Sequence, residues 1–415
     1  MRHLLIVLVG VLFSTNATVA QSFTEYSGDV WLQKEQGVLK VSVELKPARK
    51  EGEIAEFLLN PAAQQLQINK QSIPLKYIFD RSGENPNEFI EGKKLQVSMP
   101  LTETEAPLTI QYLMPIEAVN YWSSDLEVEG LETGLYTAWL PIPDNNGDIK
   151  YNFKLHLPPS YKANGNGLMV QKGDVWELTS QGKQFDPVIL MSPDLKVEKF
   201  PMGNSTLKVT HFGMEAKTLS RLSQDVADVK SLFTTEFGDL TGSGGDFQFV
   251  FVPRVGGSSY SRNGFAVVSK GGSYEGTFRT IAHEIGHFWW TGASPNTWED
   301  WLNESFAEYA AVLAVGDKYG KDAEAKLLEK YKKSIEGLPA IWGISRNDSK
   351  ATLLLYRKGP VLLNRLRAEI GGEGFSKFLH TLYRRQIRST AVLLNLLEEL
   401  QGKKVREAFE SDLRS

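Results

Sequence analysis

The sequence predicts a multidomain protein with α and β structure: an antiparallel β-sandwich or saddle, then an α+β domain that becomes mostly helical towards its C-terminal end. The chain has 415 residues, enough for two hydrophobic cores. Apolar residues alternate with period two up to about residue 194 and follow a helical period over most of the remainder. We therefore divide the chain into a signal segment, 1–20, a β-rich domain, 21–200, and a second domain, 201–415.

The first twenty residues have the order of parts that is typical of a cleavable export signal. Arg2 and His3 precede the apolar run 4–13, and small or polar residues lead to Ala20. A run of ten residues is too short to span a bilayer. This predicts an exported protein, periplasmic or extracellular, with no integral membrane span after signal removal. The alternative is a buried N-terminal strand or helix.

The composition is that of an ordinary globular protein and excludes several kinds of chemistry. Hydrophobic residues make up 41% and charged residues 23% of the chain, with a formal net charge of −4. No basic tract or phosphate-binding glycine motif indicates a nucleic acid or nucleotide partner. Because the chain has no cysteine, disulfides and a thiol nucleophile are excluded.

Short strands with one apolar face account for the β-rich domain. Apolar residues alternate with polar ones over 39–45, 95–99, 108–112 and 151–157. Helix-period segments are scarce in this half, so we expect antiparallel sheets with one face buried.

The pattern changes near residue 200. A strand at 207–211 precedes a helical pattern over 219–233, and a second strand at 247–252 leads to a glycine- and serine-rich loop, 255–264. Helical patterns dominate from residue 277 onwards. The second domain is therefore predicted to be α+β first and then largely helical.

The segment TIAHEIGHFWW, 280–290, holds two of the six histidines. In a helix, His283 and His287 lie one turn apart on the same face, so both imidazoles can bind one ion. Imidazole suits zinc, and Glu284 beside that face can reach a metal-bound water instead of the metal. The alternative is that both histidines are packing or surface residues of an amphipathic helix.

The segment WLNESFAEY, 301–309, places two glutamates four residues apart on another predicted helix. If this helix packs across the first, Glu304 completes a His-His-Glu site with one open position, as hydrolytic zinc requires. Glu308 can then accept a hydrogen bond from a ligand histidine. A solvated helix face is the alternative for Glu308.

Together, HEIGH and WLNESFAEY resemble the gluzincin metallopeptidases of the aminopeptidase N family, whose motif is H-E-x-x-H and then W-L-N-E-G-F-A. The resemblance implies a thermolysin-like catalytic domain with one zinc ion per chain, held by His283, His287 and Glu304, and Glu284 as the general base. The gap between the second histidine and the ligand glutamate is two residues shorter than is usual in that family. We expect the shortening to lie in the loop 291–300, outside both helices.

The segment YRKG, beginning at Tyr356, is similar to the Y-x-K-G segment of the same family. The resemblance implies that the Tyr356 hydroxyl stabilises the oxyanion of a tetrahedral intermediate. A phenol with a pKa of about 10 is protonated at pH 7 and can donate that hydrogen bond. The expected reaction is hydrolysis of a peptide or protein substrate by metal-activated water, with Glu284 taking the proton and delivering it to the leaving amine.

One family motif is missing. Aminopeptidases of this family carry G-x-M-E-N before the zinc helix, where the glutamate binds the free α-amine of the substrate. Here Asn263 and Gly264 align with the end of that motif and Arg262 takes the place of the glutamate, so these three are candidate substrate-binding residues. An arginine repels an ammonium ion and attracts a carboxylate. Glu275 is an alternative amine-binding acid, and a structural or solvent-exposed role is the alternative for Arg262.

Several functions therefore stay open. The peptidase could be an aminopeptidase, an endopeptidase or a peptidase that recognises a carboxylate, and the glycyl aminopeptidases are a neighbouring family with a similar metal motif. The same zinc site could hydrolyse another acyl or ether bond. A non-catalytic zinc-containing binding or scaffold protein is the alternative from another class.

Overall fold

The computed structural model of this chain describes residues 24–46, 54–69, 71–72, 78–80, 95–100, 107–122, 128–143, 149–202, 205–240, 247–255, 259–270 and 272–415. The predicted signal segment, 1–20, lies outside these residues. In the described part, β-sheets precede a helical region, which confirms the predicted fold class. No helix in that part of the chain is long and apolar enough to cross a membrane.

Fifteen strands precede residue 195 in the described ranges. They are β1 (Thr24–Gln33), β2 (Val38–Lys46), β3 (Ile54–Leu59), β4 (Gln64–Ile68), β5 (Gln71–Ser72), β6 (Ile78–Asp80), β7 (Leu95–Pro100), β8 (Leu108–Pro115), β9 (Leu131–Thr133), β10 (Ile142–Pro143), β11 (Ile149–His156), β12 (Lys162–Gly165), β13 (Leu168–Lys172), β14 (Val175–Thr179) and β15 (Ile189–Ser192).

These strands form three sheets, with the orders β13-β14-β11-β1-β2-β8-β4-β5, β10-β3-β7-β6 and β12-β15-β9. Every pairing among them in the described ranges is antiparallel except that of β1 with β11, which is parallel. The expectation of purely antiparallel sheets is wrong at this one pair. Two parallel neighbours are joined by a long crossover connection and therefore lie far apart in the sequence. The alternation of residues within one strand does not show which distant strand lies beside it, or in which direction that strand runs.

Alternation of apolar and polar residues drives the packing of the large sheet. In β2, Leu39, Val41, Val43 and Leu45 are all buried, and the polar residues between them lie on the other face. Burial of each such side chain contributes roughly 1.5–3 kcal/mol. This hydrophobic face forms the core of the first half of the chain.

The second half contains a five-stranded sheet and eight α-helices within the described ranges. They are β16 (Leu195–Met202), β17 (Ser205–Phe212), β18 (Phe247–Val255), β19 (Tyr260–Arg262), β20 (Phe265–Lys270), α1 (Ala216–Phe237), α2 (Tyr274–Gly286), α3 (Trp301–Tyr319), α4 (Lys321–Ser334), α5 (Ala351–Leu353), α6 (Gly359–Arg384), α7 (Thr390–Gln401) and α8 (Lys403–Leu413).

The sheet of the second half has the order β16-β17-β18-β20-β19. Its three middle strands are parallel, and both outer strands are antiparallel to their neighbours. Strand β16 spans residue 200, the expected domain boundary, and pairs along its whole length with β17. Helix α1 packs on this sheet through the apolar stripe that the helical period predicts.

Helices α2 and α3 cross at a glycine. A Cβ atom at Gly286 would lie 2.9 Å from the Cα of Ala307, so only a residue without a side chain allows this approach. Helix α2 begins at Ser273, whose hydroxyl accepts a hydrogen bond from the backbone N–H of Gly276. The close crossing brings the histidine face of α2 against the glutamates of α3.

Candidate active site

Three predicted metal ligands meet where α2 and α3 cross. The Nε2 atoms of His283 and His287 are 3.1 Å apart, and Oε2 of Glu304 lies 3.4 Å from the first and 3.5 Å from the second. The loop between the helices contains one 3₁₀ turn, Trp298–Asp300, and the expected shortening of this loop stays a prediction. In the described part of the chain, these residues form the one group whose donor atoms could hold a metal ion.

The dimensions of this cluster fit zinc. Ligand atoms about 2.0–2.1 Å from a tetrahedral zinc ion lie roughly 3.3 Å from one another. Burial alone raises the pKa of Glu304, but the charge of His287 and hydrogen bonds with both histidines lower that pKa well below its usual range. A buried carboxylate is thus held ionised between two imidazoles, with its Oε2 facing both Nε2 atoms. Two nitrogens and one charged oxygen are a donor set that zinc prefers.

The carboxylate of Glu284 is buried beside the ligands and is not fully paired. Its side chain is 3% exposed, and its Oε2 has no hydrogen-bond partner within the described ranges. Burial raises the pKa of Glu284, while the charges of His283 and His287 oppose this rise. An unpartnered buried carboxylate is costly, so its presence here indicates a group kept for chemistry.

Glu308 lies behind His283, as predicted, and is not on a solvated face. Its Oε2 is 2.9 Å from Nδ1 of His283, and its Oε1 accepts hydrogen bonds from Arg279, Tyr331 and Arg357. Burial alone raises the pKa of Glu308, but these contacts lower it to about 2. The carboxylate stays charged, so it can fix the Nδ1–H tautomer and turn Nε2 of His283 towards the metal position.

His287 is oriented by the backbone. Its Nδ1 lies 3.2 Å from the carbonyl oxygen of Trp290, which leaves Nε2 for the metal. The three groups around Glu308 could not be found from the sequence, because Arg279, Tyr331 and Arg357 stand on three separate helical segments with no shared motif.

Tyr356 reaches the site from a π-helical segment, Leu354–Lys358. Its ring stacks on that of His283, with ring centroids 5.4 Å apart and planes at 20°. The segment packs closely on α3: Ser305 donates to the backbone carbonyl of Leu355 at 2.7 Å, and a Cβ at Gly359 would overlap the Ser305 side chain. Short π-helical segments are rare in proteins, and those that occur are often found at functional sites.

Arg262 is buried and paired with a carboxylate. Its Nη2 donates to Oδ2 of Asp186 at 3.1 Å, its Nε donates to Oδ1 of the same residue, and its Nη1 donates to the carbonyl of Ser261 at 2.7 Å. Burial lowers the pKa of the guanidinium, but the charge of Asp186 more than reverses this effect. These contacts are those of a structural ion pair, which is the alternative role for Arg262. A role of Arg262 in substrate binding stays a prediction.

The other candidate substrate-binding residues form a hairpin turn. Asn263 and Gly264 connect β19 to β20, with Arg262 paired to Phe265 and with Gly264 at φ +69°. Glu275, the alternative acid, is exposed in the first turn of α2. It precedes His283 by eight residues, about 12 Å along the helix, and does not reach the metal position.

Comparison with known proteins shows which family part of this chain is similar to. The family described as "Peptidase family M1 domain" matches residues 266–411. Aminopeptidase N of Lactococcus lactis subsp. lactis is 29% identical over 151 residues, and aminopeptidase N of Streptomyces lividans is 30% identical over 152 residues. Each match covers 32% of this chain and only 18% of the relative.

Solved structures share the fold over nearly the whole chain. A Deinococcus radiodurans M1 zinc metallopeptidase mutant bound to a Tyr-Ser-Ala substrate has a TM-score of 0.65 at 17% identity, covering 95% of this chain and 96% of that one. Leukotriene A4 hydrolase from Saccharomyces cerevisiae has a TM-score of 0.65 at 15% identity, covering 94% and 67%. At these identities, the likeness is evidence for the fold alone.

The fold and the His-His-Glu cluster are both consistent with a zinc metallopeptidase domain. Residues 266–411 match the peptidase family M1 domain, and the two matching relatives are both named aminopeptidase N, so this part of the chain is similar to the aminopeptidase N-like group of gluzincins. This confirms the resemblance inferred from HEIGH and WLNESFAEY, with zinc as the metal of the family.

Proposed function

We propose that this chain hydrolyses peptide bonds, with one zinc ion held by His283, His287 and Glu304. In this proposal, Glu284 is the general base and Tyr356 stabilises the oxyanion. The observation that carries the proposal is the free, buried Oε2 of Glu284 beside three atoms spaced as zinc ligands. When bound, zinc would acidify a water molecule, polarise the substrate carbonyl and favour the ionised form of Glu284.

Proton movement is assigned to Glu284. Its unpartnered oxygen accepts the proton from the attacking water and then passes it to the nitrogen of the departing amine. The backbone of this residue is anchored, because Ser261 donates a hydrogen bond to its carbonyl at 2.6 Å. A positioned acid–base group of this kind accounts for about 10²–10⁴-fold in rate.

Charge stabilisation on the substrate is assigned to Tyr356. Burial raises the pKa of its hydroxyl well above the usual value, and the charge of Glu304 adds to the effect. The phenol is therefore protonated throughout the neutral range and can donate to a developing oxyanion. Stacking on His283 limits the movement of the ring and keeps the hydroxyl near the metal position.

A peptide substrate is supported by the relatives. Two matching proteins are named aminopeptidase N, and a structure with the same fold holds Tyr-Ser-Ala as substrate. The matched segments span only 18% of the curated relatives, so the choice between removing terminal residues and cutting within a chain depends on this chain's own residues.

The test compares the zinc-loaded protein with Glu284→Gln. A matched control, Glu275→Gln, makes the same change at an exposed position on the same helix. We expect Glu284→Gln to keep its zinc and lose about 10²–10⁴-fold in kcat on a peptide mixture read by mass spectrometry, while the control stays unchanged. If the unaltered protein binds zinc and cuts no peptide, the non-catalytic binding alternative replaces this proposal.

We also propose that the chain is exported, on the strength of the charge and hydropathy of 1–20. Expression in a Gram-negative host, followed by fractionation and intact-mass measurement, tests this. The expected product is periplasmic and begins at Gln21. Recovery from the cytosol with residues 1–20 still attached contradicts the proposal.

A further inference from the structure

The π-helical segment that carries Tyr356 is held on two sides. On one side it meets α3, where the carbonyl oxygen of Leu355 accepts a hydrogen bond from Ser305 at 2.7 Å. On the same helix, Oε1 of Glu308 accepts a hydrogen bond from Arg357 at 3.2 Å. These contacts join the segment to the helix of a candidate metal ligand, and its last residue reaches a different part of the chain.

That residue, Lys358, connects the segment to the end of α8. Its Nζ donates to the carbonyl oxygen of Pro339 and to the backbone oxygen of Ser415, both at 2.7 Å. Lys358 is only 8% exposed, and burying an ammonium group is costly unless it is hydrogen-bonded. The two oxygens therefore fix the lysine, and with it the end of the segment.

Lys358 and Tyr356 point in nearly opposite directions, because residues two apart in a helix lie on roughly opposite sides. The contacts agree with this: the Tyr356 ring stacks on His283, while the lysine reaches Pro339 and Ser415. A bond that holds Lys358 therefore limits rotation of the segment about its own axis. Such a rotation would move the Tyr356 ring away from His283.

The two acceptors of Lys358 are themselves tied together. Pro339 lies in the loop 335–350, between α4 and α5. In this loop, the backbone N–H of Trp342 donates to the carbonyl oxygen of Leu413 at 3.1 Å, and the guanidinium of Arg414 lies 3.5 Å from the centre of the Trp342 ring. Leu413 is completely buried in the core, so the loop is anchored to a fixed part of α8.

The same loop also reaches the turn that precedes α3. The rings of Trp342 and Trp298 are 4.7 Å apart, and Nη2 of Arg346 lies 3.2 Å from Oδ2 of Asp300, which is buried. Asp300 precedes the candidate ligand Glu304 by four residues, about one helical turn. The loop thus connects the helix of the metal site to the acceptors of the lysine.

We propose that Lys358 is a positioning residue for Tyr356: it fixes the π-helical segment against the loop 335–350 and the end of α8, and so keeps the Tyr356 hydroxyl near the metal position. This rests on the proposed peptidase function, in which Tyr356 stabilises the oxyanion, and adds the residue that orients it. Displacing a catalytic group by about 1 Å can lower a rate by about 10²-fold, even when the altered residue is remote.

A double-mutant cycle tests the proposal in the zinc-loaded protein. Lys358→Met removes the ammonium group and keeps the length of the side chain, so we expect kcat to fall about tenfold or more with little change in KM. In a Tyr356→Phe background, the same change should lower kcat by less than about twofold, because the hydroxyl that it positions is already absent. Lys377→Met, at an exposed position of α6, is the matched control.

Two outcomes overturn the proposal. One is an equal loss of kcat in both backgrounds, which would mean that Lys358 supports the fold as a whole. The other is an unchanged kcat in folded Lys358→Met protein. If Lys358→Met does not fold, Lys358→Gln replaces it, since its amide can still donate to one of the two oxygens. The same dependence on Tyr356 is then expected, and its absence is equally decisive.

A second measurement separates this proposal from the peptidase function. If the unaltered zinc-loaded protein cuts no peptide, the peptidase function fails, and the positioning is judged by fluorine NMR with 3-fluorotyrosine in place of Tyr356. We expect one resonance in the otherwise unaltered chain, the same resonance in Lys377→Met, and a shifted or split resonance in Lys358→Met. An identical resonance in all three proteins would show that Lys358 does not position the ring.

Discussion

The metal site and the arginine cluster, which consists of Glu132, Arg254, Asp186 and Arg262, are both buried groups of charge, yet their bonding differs. At the metal site, Oε2 of Glu284 lacks a hydrogen-bond partner among the described residues. In the arginine cluster, every carboxylate oxygen of Glu132 and Asp186 accepts at least one hydrogen bond. Unsatisfied buried carboxylates are costly and persist where a metal or substrate completes them. Saturated ones hold the structure together.

The two sites also differ in how the chain assembles them. The candidate metal ligands lie within 22 consecutive residues, on α2, at its C-terminal end and on α3, whereas Arg254 and Glu132 are 122 residues apart and Arg262 and Asp186 are 76 apart. A site whose residues lie close together in the sequence can be recognised as a motif. A site assembled from residues that are far apart in the sequence cannot. Four substitutions, in order of expected effect, test this contrast.

The largest effect on stability is expected from Glu132→Gln. Removing one partner of a buried ion pair takes the charge of Glu132 away from Arg254, and such a change costs about 3–5 kcal/mol. We expect that decrease in the free energy of unfolding, measured by denaturant titration, with zinc content near one per folded chain. Glu177→Gln, at a partly exposed ion pair of the same half, is the control. Loss of zinc from still-folded Glu132→Gln protein would show that the two sites are not independent.

Tyr356→Phe should damage catalysis and leave the fold intact. Loss of one oxyanion donor lowers kcat by about 10²–10³-fold, with little change in KM. Tyr319→Phe, at an exposed ring, is the matched control. A small loss of kcat, or a large rise in KM alone, would assign Tyr356 to substrate binding instead.

Glu308→Gln should weaken zinc binding. The amide keeps the shape but loses the charge that orients His283, and such changes typically cost 10–100-fold in metal affinity or activity. Competition with a chromophoric chelator measures the affinity, with Glu329→Gln on an exposed face of α4 as control. An unchanged zinc affinity would mean that Glu308 pairs with Arg279 and Arg357 but does not orient His283 for the metal.

The smallest effect is expected from Gly286→Ala. The added methyl group meets the backbone of Ala307, and overpacking of this kind costs about 1–3 kcal/mol. Zinc affinity should fall with stability, because α2 and α3 must separate. Gly372→Ala adds the same group into open space in α6 and serves as control. A shift in stability with unchanged zinc affinity would mean that the crossing does not set the ligand spacing.

Much of the fold follows from the sequence because its elements are locally encoded. The alternation over 39–45 predicts the buried face of β2, and the helical stripe of α1 predicts its packing side. The parallel pairing of β1 with β11 was missed, since strand order depends on contacts between residues more than 100 positions apart. Arg262 shows the same limit: its position next to the site was expected, but its bond to Asp186 was not.

By itself, the sequence predicted the candidate zinc ligands, because helical spacing places His283 and His287 on one face and a second helix supplies Glu304. Only the tertiary structure decided which charged groups are still available to a ligand. Availability depends on whether each buried carboxylate is already paired, and those partners come from distant segments that pack together only in the folded chain.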